Sequence, residues 1–275
     1  MKKAISTILK VLVFFLGWAI LAGIITVPCE DPAIWRFFAE LVPFLVLVVF
    51  TVVFLLLEKK EIHIPIKENL VKGTVVGTIT GTIWIAAAAG VLMASRQLIV
   101  TDQEKVPMLW LWILSAFINV VMQELLIRGY MYQLLKKRCN LAVAVIFTTA
   151  LFTLLHGGAF EAGVIPVLNV ITMYLFTTSL YESEKTILAP IMAHAVWNVV
   201  GALFLGGVGL ASDYPHLLTL QPSANTLLSG GTYKIEASIV TLFLNVALML
   251  LFTYSSYTCR QDSPCSPKSR RTVRS

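Results

Sequence analysis

The stretch from residue 41 to residue 57 reads LVPFLVLVVFTVVFLLL, and it contains no charged residue. With the residues before it, it forms an apolar run from 34 to 57, which is longer than the roughly 20 residues that a helix needs to cross a bilayer. Further apolar runs lie at 5–27, 74–95, 107–135, 141–157, 163–181, 187–208 and 236–257. The sequence therefore predicts an all-α, polytopic membrane protein, a bundle of about eight transmembrane helices.

The composition supports this class. The chain of 275 residues is 57% hydrophobic and 13% charged, whereas soluble domains usually have about 25% charged residues. Its net charge of +6 does not indicate a nucleic-acid partner, because the cations lie at the edges of the predicted spans instead of on one folded face. We expect membrane lipids to surround the protein and no nucleic acid to bind it.

The lysines and arginines predict the orientation. Of the 21, sixteen lie in the segments that alternate with the predicted outer loops, four lie in those outer loops, and Arg128 lies inside a span. The positive-inside rule then places both termini in the cytoplasm of a cell. We expect a transmembrane domain over 1–258 with its motif-bearing core at 106–205, and a disordered basic tail over 259–275. The four cysteines predict neither a metal site nor a structural disulfide.

Five of the polar or ionisable residues within these apolar runs are candidates for a functional site: Glu124, Arg128, His156, His194 and Asn198. A charge at the centre of a bilayer costs roughly 2.5–3.5 kcal/mol on insertion scales, and such residues usually mark a functional site. Glu124 and Arg128 are four residues apart on a helix, so we expect their side chains to pair. His194 and Asn198 also share one helix face, and His156 precedes two glycines at which its helix can end.

A polar stripe adjoins the Glu124 face, because Gln123 and Asn119 are also four residues apart. One carboxylate, two imidazoles and one amide from three helices are the parts of a hydrolytic site, in which water attacks and an oxyanion is stabilised. The nucleophile would be water, because the Gly-x-Ser-x-Gly elbow is absent from the sequence and each cysteine is distant from the histidines of the site.

Two other classes of site have the same residue types. One Glu and two His could hold zinc with an open position for water, although the spacing is not that of the His-Glu-x-x-His class. A solute transporter also needs polar residues at bilayer depth, although no internal repeat is visible in the sequence. The hydrolytic interpretation requires no cofactor.

The order and spacing of three motifs resemble the signature of the CPBP family, the CAAX proteases and bacteriocin-processing enzymes, also called the Abi family. The motifs are Gln123-Glu124-x-x-x-Arg128, Phe152-x-x-x-His156 and His194-x-x-x-Asn198. The resemblance covers about residues 106 to 205 and agrees with the eight-helix count. It implies an intramembrane glutamic endopeptidase that acts on a membrane-associated or lipidated peptide, either CAAX-type or in bacteriocin or peptide maturation.

The resemblance also implies a role for each residue. His156 would activate water, His194 with Asn198 would form the oxyanion hole, and Arg128 would orient the carboxylates. The chain departs from the family's pattern where the first Glu of Glu-Glu-x-x-x-Arg is replaced by Gln123. An amide cannot act as a base, so a Gln123→Glu substitution is expected to raise peptidase activity.

Three interpretations of Gln123 stay open. Glu124 takes over, His156 works unaided, or the chain is a non-catalytic relative that acts in bacteriocin immunity or partner binding. Because Glu124 lies about 100° around the helix from Gln123, the first would need a rotated helix or a bridging water. Arg128 and the basic edge at Lys136–Arg138 predict that water reaches the site from the cytoplasmic side.

Overall fold

The structure is a computed structural model that describes residues 2–59 and 61–261. The predicted basic tail lies outside the described residues from position 262 onward, and the domain boundary at residue 258 stays a prediction.

Helices make up most of the described chain. They are α1 (Lys2–Ile24), α2 (Pro32–Leu57), α3 (Leu70–Ala94), α4 (Leu109–Glu124), α5 (Tyr132–Arg138), α6 (Leu141–Leu155), α7 (Gly157–Ala162), α8 (Val164–Glu184), α9 (Leu188–Asn198), α10 (Thr226–Ser229) and α11 (Ile239–Gln261). A π-helix, Leu125–Met131, joins α4 to α5, and a second, Val199–Phe204, continues α9. A 3-10 helix, Gly231–Ala237, precedes α11.

Six helices of the described part are long and apolar enough to cross a membrane. They are Ile5–Ile24, Pro32–Leu57, Leu70–Ala94, Leu109–Arg138, Val164–Glu184 and Gly231–Thr258. Two more, Leu141–Leu155 and Leu188–Phe204, are apolar but shorter. All eight overlap the predicted runs, so the all-α, polytopic membrane fold is confirmed.

Capping residues define where two of these helices begin. The Asp31 carboxylate accepts hydrogen bonds from the backbone N–H groups of Ala33 and Ile34 at 2.9 and 3.0 Å, just before α2. The Asn140 side chain accepts one from the Val143 N–H at 2.9 Å and starts α6. Each cap satisfies N–H groups that the first turn of a helix leaves without partners.

One two-stranded sheet lies outside the helices. Strand β1 (Leu98–Gln103) pairs antiparallel with β2 (Leu218–Pro222), with an irregularity between Val100 and Asp102. The sequence predicts only an outer loop over 209–233, and the turn residues there are local signals. The ladder instead joins segments more than a hundred residues apart, which no local pattern indicates.

Glycines bring α3 against α9, the helix that carries His194. A Cβ on Gly77 would lie 2.3 Å from the Ala189 carbonyl oxygen, and one on Gly81 would lie 2.6 Å from that of Ala193. Only glycine permits so close an approach, which is the small-residue packing typical of membrane helices. The backbone around His194 is thereby held firmly against α3.

The two ends of the bundle differ. Glu58, which follows α2, pairs with Arg138 at the end of α5 at 2.9 Å and also with Lys10. These groups define the basic end of the bundle. Helices α2 and α4 begin at the opposite end of the bundle. Strand β1, which directly precedes α4, lies there with its partner β2, and we call this end the sheet end.

Candidate active site

Four of the six predicted site residues line one cavity of about 560 Å³: Gln123, His156, His194 and Asn198. They come from α4, the α6–α7 junction and α9. The other two, Glu124 and Arg128, have no exposed surface and lie behind the cavity. The three motifs therefore meet in space, as the hydrolytic interpretation requires.

Glu124 and Arg128 form the predicted buried ion pair. The guanidinium also donates to the Tyr174 carbonyl at 2.9 Å and to the hydroxyls of Thr177 and Thr178 at 2.5 and 3.1 Å. These acceptors satisfy the donors of a charge that has no contact with solvent. Arg128 lies in the π-helix Leu125–Met131, and such π-helical segments are frequent at functional sites.

Glu124 also binds His194. The Nδ1 atom of His194 lies 3.0 Å from Oε1 of Glu124. A carboxylate in an ion pair with Arg128 only accepts, so Nδ1 carries the proton and donates it to Glu124. Nε2 is then the nitrogen left for a substrate. This carboxylate–imidazole arrangement fixes both the tautomer and the orientation of the ring.

His156 has a different partner. Its Nδ1 atom lies 2.8 Å from the carbonyl oxygen of Phe152, which can only accept, so Nδ1–H donates and Nε2 keeps its lone pair. The Phe152 ring centroid lies 4.3 Å from that of His156 and 6.3 Å from that of His194. One apolar ring thus contacts the first imidazole and borders the second.

A carboxylate that sequence reasoning missed also lines the cavity. The Gln123 amide nitrogen donates to Oδ1 of Asn119 at 2.6 Å, and the Asn119 amide nitrogen donates to Oε2 of Glu40 at 2.9 Å. Arg36 holds the other oxygen of Glu40 at 3.1 Å and also binds Asp213. The available signal was the Arg36–Glu40 spacing of four residues in an apolar run.

This chain of bonds has a direction. Each amide donates toward the Glu40 carboxylate, so position 123 must supply a donor. The Oε1 atom of Gln123 is buried and has no hydrogen-bond partner among the described residues. Gln123 is therefore held in the cavity wall by the hydrogen bond that its amide nitrogen donates to Asn119.

The cavity lies toward the sheet end. Its lining includes residues of α7 and the segment 209–211, and its exposed lining residues include Gly157, Gly158, Gly209 and Ala211. The basic edge at Lys136–Arg138 does not contribute to it. Arg128 is enclosed by residues of α8, and access of water from the cytoplasmic side stays a prediction.

The groups considered for zinc do not form a metal site. Across the described residues there is no group of three or more His, Cys, Asp or Glu side chains arranged to hold a metal ion. The Glu124 carboxylate is bound by Arg128 and His194 instead.

The structure is a polytopic helical bundle in which residues of all three motifs line one cavity. A family model described as "Type II CAAX prenyl endopeptidase Rce1-like" matches residues 105–200, which contain all six predicted site residues. No curated protein and no solved structure gave a significant match. The match thus confirms the resemblance to the CAAX protease family over residues 105–200.

Proposed function

We propose that the protein is an intramembrane endopeptidase that hydrolyses a membrane-associated or lipid-anchored peptide with water as the nucleophile. The observation that carries the proposal is the meeting of His156, His194 and Asn198 at one cavity, where each imidazole is oriented through its Nδ1 atom, one by a carbonyl oxygen and the other by a carboxylate.

His156 is the base. Its Nδ1–H is directed to the Phe152 carbonyl, so Nε2 has the free lone pair that can take a proton from water. No acidic partner holds its ring, and the apolar Phe152 beside it favours the neutral imidazole, which is the form that accepts protons.

His194 and Asn198 stabilise the oxyanion. Since Nδ1–H of His194 points to Glu124, the ring can donate to an oxyanion through Nε2–H only as an imidazolium. The Asn198 amide, one helical turn away on the same face, supplies the second donor.

Glu124 is a positioning residue. Both of its oxygens are occupied, one by His194 and the other by Arg128, and it does not reach the cavity surface. This geometry favours an action through His194 over direct activation of water. Glu40 is the carboxylate that the bond chain links to Gln123, and it supplies negative charge to the cavity.

The orientation bears on the substrate. With both termini in the cytoplasm, as the cation distribution predicts, the cavity lies in the outer half of the membrane. The peptide would then be one displayed at the outer surface. Labelling Cys29, close to the sheet end, from outside intact cells tests this; labelling only from inside would reverse the orientation.

The experiment is cleavage of lipidated peptides with CAAX-type ends, and of transmembrane peptides, by the purified protein in liposomes. His156→Ala is expected to lower the rate by about 10² to 10⁴-fold, and Asn198→Ala by about 10² to 10³-fold. His63→Ala is the matched control, because His63 is exposed and pairs only with Glu68. Equal rates for all four proteins would contradict the proposal.

A second function has one observation in its favour. Gln123 is held as an amide by Asn119, where the family's pattern has the Glu of a base. A non-catalytic relative that binds peptides or partner proteins, for instance in bacteriocin immunity, would have this property. Peptide binding that is lost on mutation of the cavity, without cleavage by any variant, would favour it.

A further inference from the structure

Glu236 lines the same cavity from the 3-10 helix that precedes α11. The Gly209 N–H binds its carboxylate, and a Cβ on Gly209 would lie only 2.8 Å from Oε1. No lysine, arginine or histidine of the described residues pairs with this carboxylate, whereas Glu40 in the same cavity has Arg36. A partly buried carboxylate without a cation is costly, and the cost falls when a cation binds.

Two buried amides adjoin Glu236. The Asn169 nitrogen donates to the carbonyl oxygens of Glu236 and Ser238 at 2.7 and 3.0 Å, so its oxygen must face the other way. The Asn245 nitrogen donates to the Asn169 carbonyl at 3.1 Å and to the Thr172 hydroxyl. These two bonds fix the orientation of the Asn245 amide, so its oxygen faces away from these two acceptors.

The oxygens of both amides are without donors. Oδ1 of Asn169 and Oδ1 of Asn245 are buried and have no partner among the described residues, and both residues line the cavity. Buried polar atoms in native proteins are rarely left in this state. With Glu236 they form a set of acceptors, which we call the acceptor wall.

We propose that the acceptor wall is a binding subsite for an organic cation, the guanidinium or ammonium group of a basic residue in the peptide that enters the cavity. The inference rests on the proposed function only in taking a peptide as the ligand. A guanidinium has five donors and no acceptor, so it can pair with the Glu236 carboxylate and has further donors for amide oxygens that lack them. A neutral apolar side chain would leave all three groups unsatisfied.

The test uses small probes with the purified full-length protein in detergent and follows thermal unfolding. Hexylguanidinium is compared with hexylurea, which has the same shape and no charge. Hexylguanidinium at about ten times its Kd is expected to raise Tm by about 2–5 °C, and hexylurea by much less. Because the probe is no peptide and no bond is cleaved, this result is independent of proteolysis.

The variants locate the effect. Glu236→Gln should abolish the difference between the two probes, while Glu161→Gln, which removes an exposed carboxylate of α7, should preserve it. Equal shifts with both probes in the wild type would overturn the proposal even if Glu236→Gln does not fold. A preserved difference in Glu236→Gln would also overturn it. A larger shift with calcium chloride alone than with hexylguanidinium would replace the organic cation by a metal ion.

Discussion

The basic end provides its buried carboxylates with cations, whereas the cavity does so for Glu40 but not for Glu236. At the basic end, Glu58, Glu182 and Glu184 each pair with at least one lysine or arginine. In the cavity, Glu236 and two amide oxygens have no such partners among the described residues. Saturated charges fix the bundle at one end, whereas unsatisfied groups at the other are available to a ligand. The difference separates residues that hold the fold from residues that can bind.

The largest effect is expected where one partner of a fully buried ion pair is removed. Arg128→Ala leaves Glu124 fully buried without its cation. Such a loss typically lowers the free energy of unfolding by about 3–5 kcal/mol. The yield of folded protein and its Tm should both fall sharply. Gln123→Ala, in the neighbouring position, should cost much less. Equal losses would mean that Glu124 is compensated by another group.

A smaller effect is expected from reversing the bond chain in the cavity. Gln123→Glu places a carboxylate against Oδ1 of Asn119. We expect this to lower the free energy of unfolding by about 1–3 kcal/mol, so the substitution is not a simple gain of activity. Adding Glu40→Gln lets Asn119 turn its amide around and should restore Tm. A Tm for Gln123→Glu at or above that of the wild type would contradict the directed chain.

The basic end should also respond to pH. Burial raises the pKa of Glu58, but hydrogen bonds and ion pairs from Lys10, with further bonds from Tyr130 and Arg138, lower it more, so the net pKa lies below its ordinary value. A depressed pKa in the folded state means that the stabilisation is complete above the unfolded pKa of about 4.3 and is lost as the pH falls through the folded pKa.

Tm measured from pH 7 to pH 3 checks this expectation. Glu58→Gln should lower Tm at pH 7 modestly and flatten its decline on the acid side. Glu30→Gln, at an exposed position before α2, is the control and should follow the wild type. If the Tm of Glu58→Gln falls between pH 7 and pH 3 in parallel with that of the wild type, other groups cause the loss of stability in acid.

The smallest effect is expected at the rim of the cavity. A Cβ on Gly158 would meet no described atom within 4 Å, and none of the six residues of α7 is buried. Gly158→Ala should therefore change the free energy of unfolding by no more than about 0.5 kcal/mol. Gly77→Ala, whose Cβ would collide with the Ala189 carbonyl, is the contrasting variant.

The helices could be predicted from the sequence because the length of an apolar run is a local property. The same holds for the Glu124–Arg128 pair, which a spacing of four residues brings together on one helix. The common cavity of His156 and His194 was an expectation from the family resemblance. The packing that brings the α6–α7 junction and α9 to one cavity joins residues far apart in the chain.

Two features of the site could not be read from the sequence. Glu40 and Arg36 have the spacing of an ordinary surface pair, and only packing shows that Asn119 joins Glu40 to Gln123. The enclosure of Arg128 is the second feature, because its charge alone does not show whether water or protein surrounds it. The hydroxyls of Thr177 and Thr178, from another helix, satisfy it without water.

The small sheet has a mechanical consequence. The β1–β2 ladder ties the segment after α3 to the segment before α10, so these parts of the rim move together or not at all. On the other side of the rim, α7 is held by few contacts and ends at Gly163, whose φ of 117° suits a hinge. We expect the lipid-anchored peptide of the proposed function to enter sideways from the bilayer by displacing α7, while the β1–β2 ladder stays intact.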